Sequence, residues 1–329
     1  MRIAVLGLGA VGTGLLRMLA AKPELGLVLT AVADSSSALV DPAGLDPAVV
    51  LDRKCGLGRC GTPGLTAADV ISSGAYDALV ELTPTNAVDG EPAMTHIRSA
   101  LGLGKHVVTS NKGPIAADLA GLEALARDAG AALRYEATVG GAIPVIHALR
   151  GGLAGNTFSS ITGILNGTCN YILTRMDDEG LTYEQALDEA RELGYAEADP
   201  TYDVRGIDAA IKLVILANTC WQLGVTLDDV AITGIDGLTV DSLRLADDQG
   251  STIRLIGEVA PARNLLRVAP RVLPRAHPLV IEGTLNAVTL STDMAGEITL
   301  MGKGAGSVET ASAVIGDLLA IRNEYDGCW

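Results

Sequence analysis

The sequence predicts an α/β protein, with an open parallel sheet first and a second α+β domain after it. Three observations carry this. Short apolar runs alternate with helical patterns through the first 110 residues. A glycine-spaced turn joins the first run to the first helix. The length, 329 residues, suits about two domains.

Residues 2–6 (RIAVL) read as a strand, and Leu15, Leu16 and Leu19 mark the helix after the turn. A second strand, 28–33, ends at Asp34. Residues 76–82 and 105–109 read as further strands, with a helix near 91–101 between them. Residues 151–156 (GGLAGN) read as a loop, and the domain change is placed near 140–155. Thr182 and Gln185 form a capping box for a helix that stops at Gly194. A polar loop follows, carrying Glu197, Asp199 and Asp203, then a strong helix from about Gly206 to Leu223. Residues 253–259, 265–272 and 287–291 read as strands of a mixed sheet. Gly302, Gly304 and Gly306 read as a turn before a last helix, 310–321, that packs back on the first domain. The first domain is therefore 1–145 completed by 302–329, and the second is 146–301.

Composition narrows the function. The net charge is −15, which disfavours nucleic acid and anionic membranes as partners. Aromatics are 3%, too few for a base-stacking platform. Apolar runs break well before the roughly 20 residues a membrane span needs. Cys55, Cys60, Cys169, Cys220 and Cys328 are an odd, scattered set and not a disulfide framework. The expectation is a cytoplasmic enzyme.

Gly7, Gly9 and Gly12 stand in G-x-G-x-x-G between a strand and a helix. The first permits the tight turn, the second lets backbone approach a pyrophosphate, and the third lets helix and strand pack closely. In this context the motif reads as a Rossmann-like dinucleotide site; a glycine turn that serves packing alone is the other reading. Asp34 stands where a carboxylate accepts from the ribose hydroxyls of NAD and repels the 2′-phosphate of NADP, or is a turn residue before Ser35-Ser36-Ser37. Arg53 and Lys54 are the nearest basic pair, so NAD and NADP both stay open.

Asp208 and Lys212 are spaced i, i+4, on one face of a helix whose other neighbours are apolar. A partly buried Lys held by a carboxylate suits proton transfer to an alcohol or aldehyde oxygen. The same pair reads equally as a structural ion pair. Lys112 follows the strand KHVVT, where ligands of open α/β sheets lie, or is an exposed loop lysine. His96, His106, His147 and His277 have no spacing that suggests a triad or a metal, and His147 reads as a core residue. No G-x-S-x-G elbow is present.

The segments 7–14 (GLGAVGTG), 104–114 (GKHVVTSNKGP), 136–144 (EATVGGAIP), 163–173 (GILNGTCNYIL), 193–213 (LGYAEADPTYDVRGIDAAIKL) and 302–306 (GKGAG) closely resemble the homoserine dehydrogenase family. The resemblance runs from one end of the chain to the other, and the 193–213 motif is its most specific part. It implies NAD(P)-linked interconversion of L-homoserine and L-aspartate 4-semialdehyde, in threonine, methionine and isoleucine biosynthesis. Lys212 would move the proton, with Lys112 assisting beside the nicotinamide. Glu197, Asp208, Asp203, Tyr195, Gly167 and Thr168 would hold the substrate. Ala10, Val11, Thr83 and Gly306 would join Gly7, Gly9, Gly12, Asp34 and Lys112 at the cofactor. A monovalent cation such as sodium would be held at Glu136, Val139, Gly141 and Ile143, and the second domain would form a homodimer. The chain departs from the family pattern at Ala142, Cys169 and Lys303. Many members add a threonine-sensing domain, and the expectation here is activity indifferent to threonine. The alternatives are another two-domain amino-acid dehydrogenase, of the aspartate or diaminopimelate type, or a non-enzymatic nucleotide sensor.

Overall fold

The first apolar run becomes β1 (Arg2–Leu6), the middle strand of a seven-stranded sheet. A computed structural model gives the arrangement for residues 1–326; Cys328 lies outside the described residues. The chain divides into two units, one of Met1–Ala142 together with the chain from Gly306 onward, the other of Ile143–Ala305.

In the first unit β1 leads into α1 (Ala10–Ala21), β2 (Val28–Ala33), β3 (Ser37–Val40), α2 (Pro47–Leu57), β4 (Thr62–Pro63), α3 (Ala67–Ser73), β5 (Ala78–Glu81), α4 (Ala93–Gly102), β6 (His106–Thr109), α5 (Lys112–Asp128) and β7 (Leu133–Arg134). The sheet order is β4-β3-β2-β1-β5-β6-β7. β1 pairs in parallel with β2 on one side and β5 on the other, so the strand order reverses there. In such sheets the crevice beyond the carboxyl ends at the reversal is where ligands bind. Gly7 stands at that end with φ +93°, and a Cβ on it would meet the Leu82 carbonyl oxygen at 2.5 Å. Side chains larger than hydrogen are excluded from the turn by backbone. β3 and β4 add antiparallel pairs at the edge, which the sequence reading did not include. They are short, and the turn that reverses the chain is built by Asp34, whose N–H donates to Ser37 O at 2.9 Å.

The second unit contains α6 (Val145–His147), β8 (Phe158–Ile164), α7 (Gly167–Glu179), α8 (Tyr183–Glu192), α9 (Thr201–Val204), α10 (Ile207–Trp221), β9 (Ala231–Ile232), α11 (Val240–Asp247), β10 (Ser251–Ala260), β11 (Leu265–Pro274), β12 (Leu285–Thr292) and β13 (Glu297–Lys303). Its sheet order is β13-β12-β8-β10-β11-β9, antiparallel except for the β9–β11 pair. It is a mixed sheet, as the sequence predicts. The Thr182–Gln185 capping box forms, opening α8. Every residue of α10 from Asp208 to Ala217 is buried.

Four local expectations are corrected. Asp203 lies in α9, not in a loop, because Pro200 presets the backbone that starts a helical turn. Gly302 pairs with Asn286 inside β13, so the turn begins only after Lys303. Gly151 and Gly152 end a π-helical turn, Ala148–Gly152. His147 is half-buried, not a core residue.

The chain then returns to the first unit as α12 (Ser307–Asp326), which packs on α1. Val314, Leu318 and Ile321 join Ile3, Val5, Leu15 and Leu19 in one apolar core. No described helix is long and apolar enough to cross a membrane.

The α1–α12 contact depends on Gly14, where a Cβ would stand 2.6 Å from the Ser307 carbonyl oxygen. Gly14→Val should cost about 1–3 kcal/mol by overpacking, read by denaturant unfolding. Gly9→Ala, which meets nothing within 4 Å, should leave stability close to the parent's. Equal stability of all three proteins would refute this packing account.

Candidate active site

In the second unit the helical spacing of Asp208 and Lys212 becomes a real contact. Lys212 Nζ lies 2.8 Å from Asp208 Oδ2, with the two side chains 10% and 9% exposed. Lys212 Nζ also donates to the Leu165 carbonyl oxygen at 2.6 Å. That carbonyl accepts a second bond, from Asn286 Nδ2 at 3.1 Å. A buried ion pair is tolerated only when its charges are met by partners in good geometry. Here the ammonium has two acceptors among the described residues, and its third donor stays available for an incoming oxygen.

Asn166 sits beside the pair. Its Nδ2 donates to Asp208 Oδ2 at 2.9 Å and to Asp203 Oδ1 at 2.7 Å. Its Oδ1 accepts from Cys169 N–H at 2.8 Å and so caps α7. Gly167 and Thr168 open that helix, and Thr168 Oγ1 donates to Tyr195 O at 2.8 Å. Tyr195 packs against Tyr171 with the rings tilted by 59° and their centres 4.9 Å apart. Burial pushes the Cys169 thiol well above its usual range, and neighbouring Asp203 and Asp208 push it further. It stays a neutral donor, to Asp203 O at 3.1 Å. Lys212, Asp208, Asn166, Asp203 and Cys169 are thus tied into one network, while Thr168 and Tyr195 form a separate contact at the start of α7. Glu197 is exposed, and no described hydrogen bond or ion pair ties it to that network.

In the first unit, α1 begins at Gly9 with no side-chain cap, and the space a Cβ would fill at Gly9 is open. Ala10 and Val11 form the first turn of that helix. Thr83 follows β5, and its hydroxyl donates to Glu81 Oε1. Glu81 is fully buried; His96 Nδ1 lies 3.4 Å from the same oxygen, and Oε2 has no partner among the described residues. Asn111 Nδ2 donates to Thr83 O at 3.0 Å, while its Oδ1 accepts from Gly113 N–H at 3.1 Å. One side chain therefore fixes Thr83 and the start of α5, where Lys112 is the first residue and half-buried. Gly306, with φ +133°, precedes α12. Glu136 and Val139 are buried, Gly141 has φ +57°, and Ile143 is buried in the second unit. No group of three His, Cys, Asp or Glu side chains gathers as a metal centre among the described residues.

Asp34 ends β2 as expected, yet its carboxylate is turned into the protein and 4% exposed. Oδ1 accepts from the N–H and hydroxyl groups of Ser36 and Ser37 at 2.9–3.0 Å. Oδ2 accepts from Lys54 Nζ at 2.7 Å and Cys60 N–H at 2.9 Å. Burial alone would raise this carboxyl; the Lys54 ammonium and the serine donors outweigh it and hold it far below the usual carboxylate range. Lys54, near the end of α2, also donates to Gly58 O at 2.9 Å.

The sequence reading singled out neither Asn166, Glu81, Asn111 nor Asn286. Three carried a weak signal: Asn166 and Asn111 precede helix starts, and Glu81 is a lone acid closing an apolar strand; Asn286, inside a strand, carried none.

Because the folded Asp34 carboxyl is depressed, its stabilisation is present above the ordinary carboxylate value and is lost as pH falls toward the folded one. Asp34→Ala should cost about 2–3 kcal/mol at neutral pH, a gap that narrows below about pH 4. Chemical denaturation at pH 7 and pH 3 checks this; a gap unchanged between them would contradict it.

Comparisons with known proteins agree on one family. A family model described as homoserine dehydrogenase matches residues 144–319, and one described as homoserine dehydrogenase, NAD binding domain, matches residues 7–136. A homoserine dehydrogenase of Methanocaldococcus jannaschii is 43% identical over 98% of this chain and 99% of its own. A solved Archaeoglobus fulgidus structure assigned to the homoserine dehydrogenases has 46% identity and a TM-score of 0.92, covering 98% of this chain and 99% of that one. A hyperthermophilic archaeal homoserine dehydrogenase in complex with NADPH has 29% identity and a TM-score of 0.85, with 98% of both chains covered. The chain belongs to the homoserine dehydrogenase family.

Proposed function

We propose that this chain interconverts L-homoserine and L-aspartate 4-semialdehyde with NAD(P), and that Lys212 moves the proton. The observation that carries the reading is the buried Lys212 ammonium, held by Asp208 Oδ2 and Leu165 O with a donor left over. In the reducing direction the ammonium donates a proton to the developing alkoxide; in the oxidising direction the neutral amine accepts one from the alcohol at the same fixed position. Asp208, Asp203 and Glu197 supply the negative charge that an amino acid's ammonium needs, and Gly167, Thr168 and Tyr195 bound the small pocket. Lys112 assists at the nicotinamide end.

Gly7, Gly9, Ala10, Val11, Gly12, Thr83 and Gly306 are the proposed cofactor contacts. They fit a dinucleotide: the helix start is uncapped and Gly9 leaves room for a pyrophosphate to approach backbone. The nicotinamide, when bound, supplies or takes the hydride. Asp34 is charge-matched by Lys54, so it adds little repulsion toward a 2′-phosphate. A monovalent cation at the backbone oxygens of Glu136, Val139, Gly141 and Ile143 belongs to the same proposal. The buried Glu136 and the consecutive left-handed Gly140 and Gly141 suit a tight, carbonyl-lined turn.

The second unit is also proposed to form a cytoplasmic homodimer. Met301 on the edge strand β13 is 59% exposed, and Val272 on β11 equally so. Sedimentation at micromolar concentration should give a dimer; a monomer would contradict it.

The test of function is absorbance of the reduced nicotinamide with L-homoserine, run with NAD and NADP side by side. A signal with either supports the reading. A folded protein that binds cofactor but gives no signal points instead to an amine-carbon dehydrogenase or a nucleotide sensor.

A further inference from the structure

The three bonds of Asn166 divide into two kinds. Its Oδ1 does ordinary capping work at α7, which Ser or Asp would do as well. Its Nδ2 does something a cap does not need: it donates one proton to each of two carboxylates, Asp203 at 2.7 Å and Asp208 at 2.9 Å. The side chain is 5% exposed, and the amide can face only one way. Reversed, it would set its carbonyl oxygen against two carboxylates and a backbone N–H against its own NH₂. The oxygen it meets on Asp208, Oδ2, is the one that holds Lys212 Nζ at 2.8 Å.

We propose that Asn166 is a positioning residue for the reaction: a neutral spacer that keeps Asp203 and Asp208 side by side as carboxylates and fixes Asp208 Oδ2 against the Lys212 ammonium. This rests on the assignment of Lys212 as the proton carrier. Two carboxylates this close repel, and without a shared donor one of them is driven toward its protonated form. Losing the N–H on Asp208 Oδ2 would free that oxygen to shift from the place where it meets the Lys212 ammonium. The charged and titratable groups around Asn166 are Asp203 on α9, Asp208 and Lys212 on α10 and Cys169 on α7; Asp236 acts on Cys169 from the loop before α11. Asn166 gives one N–H to each of the two carboxylates.

The experiment compares the parent with Asn166→Ser and Asn166→Asp, both of which keep a capping oxygen. Steady-state rates are taken with L-homoserine and NAD(P) across pH, with a thermal melt of each protein. Asn166→Ser should lose about tenfold to a hundredfold in kcat/KM for L-homoserine. The KM for the cofactor should hold, and the acid limb of the pH profile should move to higher pH. Asn166→Asp, which adds a third carboxylate, should lose more and move the limb further. A Ser variant with the parent's kcat/KM and pH profile overturns the proposal, leaving Asn166 as a helix cap. So does equal loss in both variants with an unmoved pH profile, which marks a structural defect. A parent that binds cofactor but does not turn over L-homoserine overturns the reading beneath it, and is told apart because it fails before any substitution.

Discussion

An ammonium and a carboxylate held 2.8 Å apart, each about nine-tenths buried, constrain everything near them in the second unit. Leaving one such charge unmatched would cost several kcal/mol, so the surrounding chain is organised to match both. Leu165 ends the run from β8 with its carbonyl turned to Lys212, and Asn286 on β12 donates to the same oxygen. Asn166 donates to the same Asp208 oxygen that meets Lys212, and to Asp203 as well. The apolar length of α10 sets the depth at which this happens, since its residues are buried without a break from Asp208 to Ala217. The proposed chemistry rests on that burial: a lysine fixed in place with a spare donor suits proton transfer, whereas the same ion pair on a surface would be worth a few tenths of a kcal/mol.

The first unit meets a different constraint, close approach of backbone to backbone. Gly7 is packed under Leu82, Gly12 under Gly7, and Gly14 under Ser307. These contacts bring the carboxyl ends of β1, β2 and β5 and the start of α1 to one edge of the sheet. Polar side chains then hold the loops there: Asp34 knots 36, 37, 54 and 60 together, and Asn111 joins Thr83 to the start of α5. α12 closes the core from the other end of the sequence.

Local periodicity made much of this legible. The glycine spacing, the Leu15–Leu19 stripe and the i, i+4 pair at 208 and 212 are all properties of neighbouring residues, and each became the element it suggested. What was not legible depends on partners far along the chain. Leu165 stands 47 residues from Lys212, and Asn166 stands 37 and 42 residues from Asp203 and Asp208. Asp34 illustrates the same limit: its place after β2 was readable, but its saturation by Lys54, twenty residues on, was not. The antiparallel β3–β4 edge was missed because strands of two to four residues carry no periodicity to read. Asp203 was read as loop because a four-residue helix opened by Pro200 is too short to show a face.

The central claim is that Lys212, and not merely the shape of the pocket, moves the proton. Lys212→Met keeps most of the stem and removes the charge. Turnover of L-homoserine, measured beside a titration of NAD(P) binding, tests it directly. The account predicts a fall in kcat of about a hundredfold or more with the cofactor Kd essentially unchanged. Turnover close to the parent's in a folded Lys212→Met protein would contradict it.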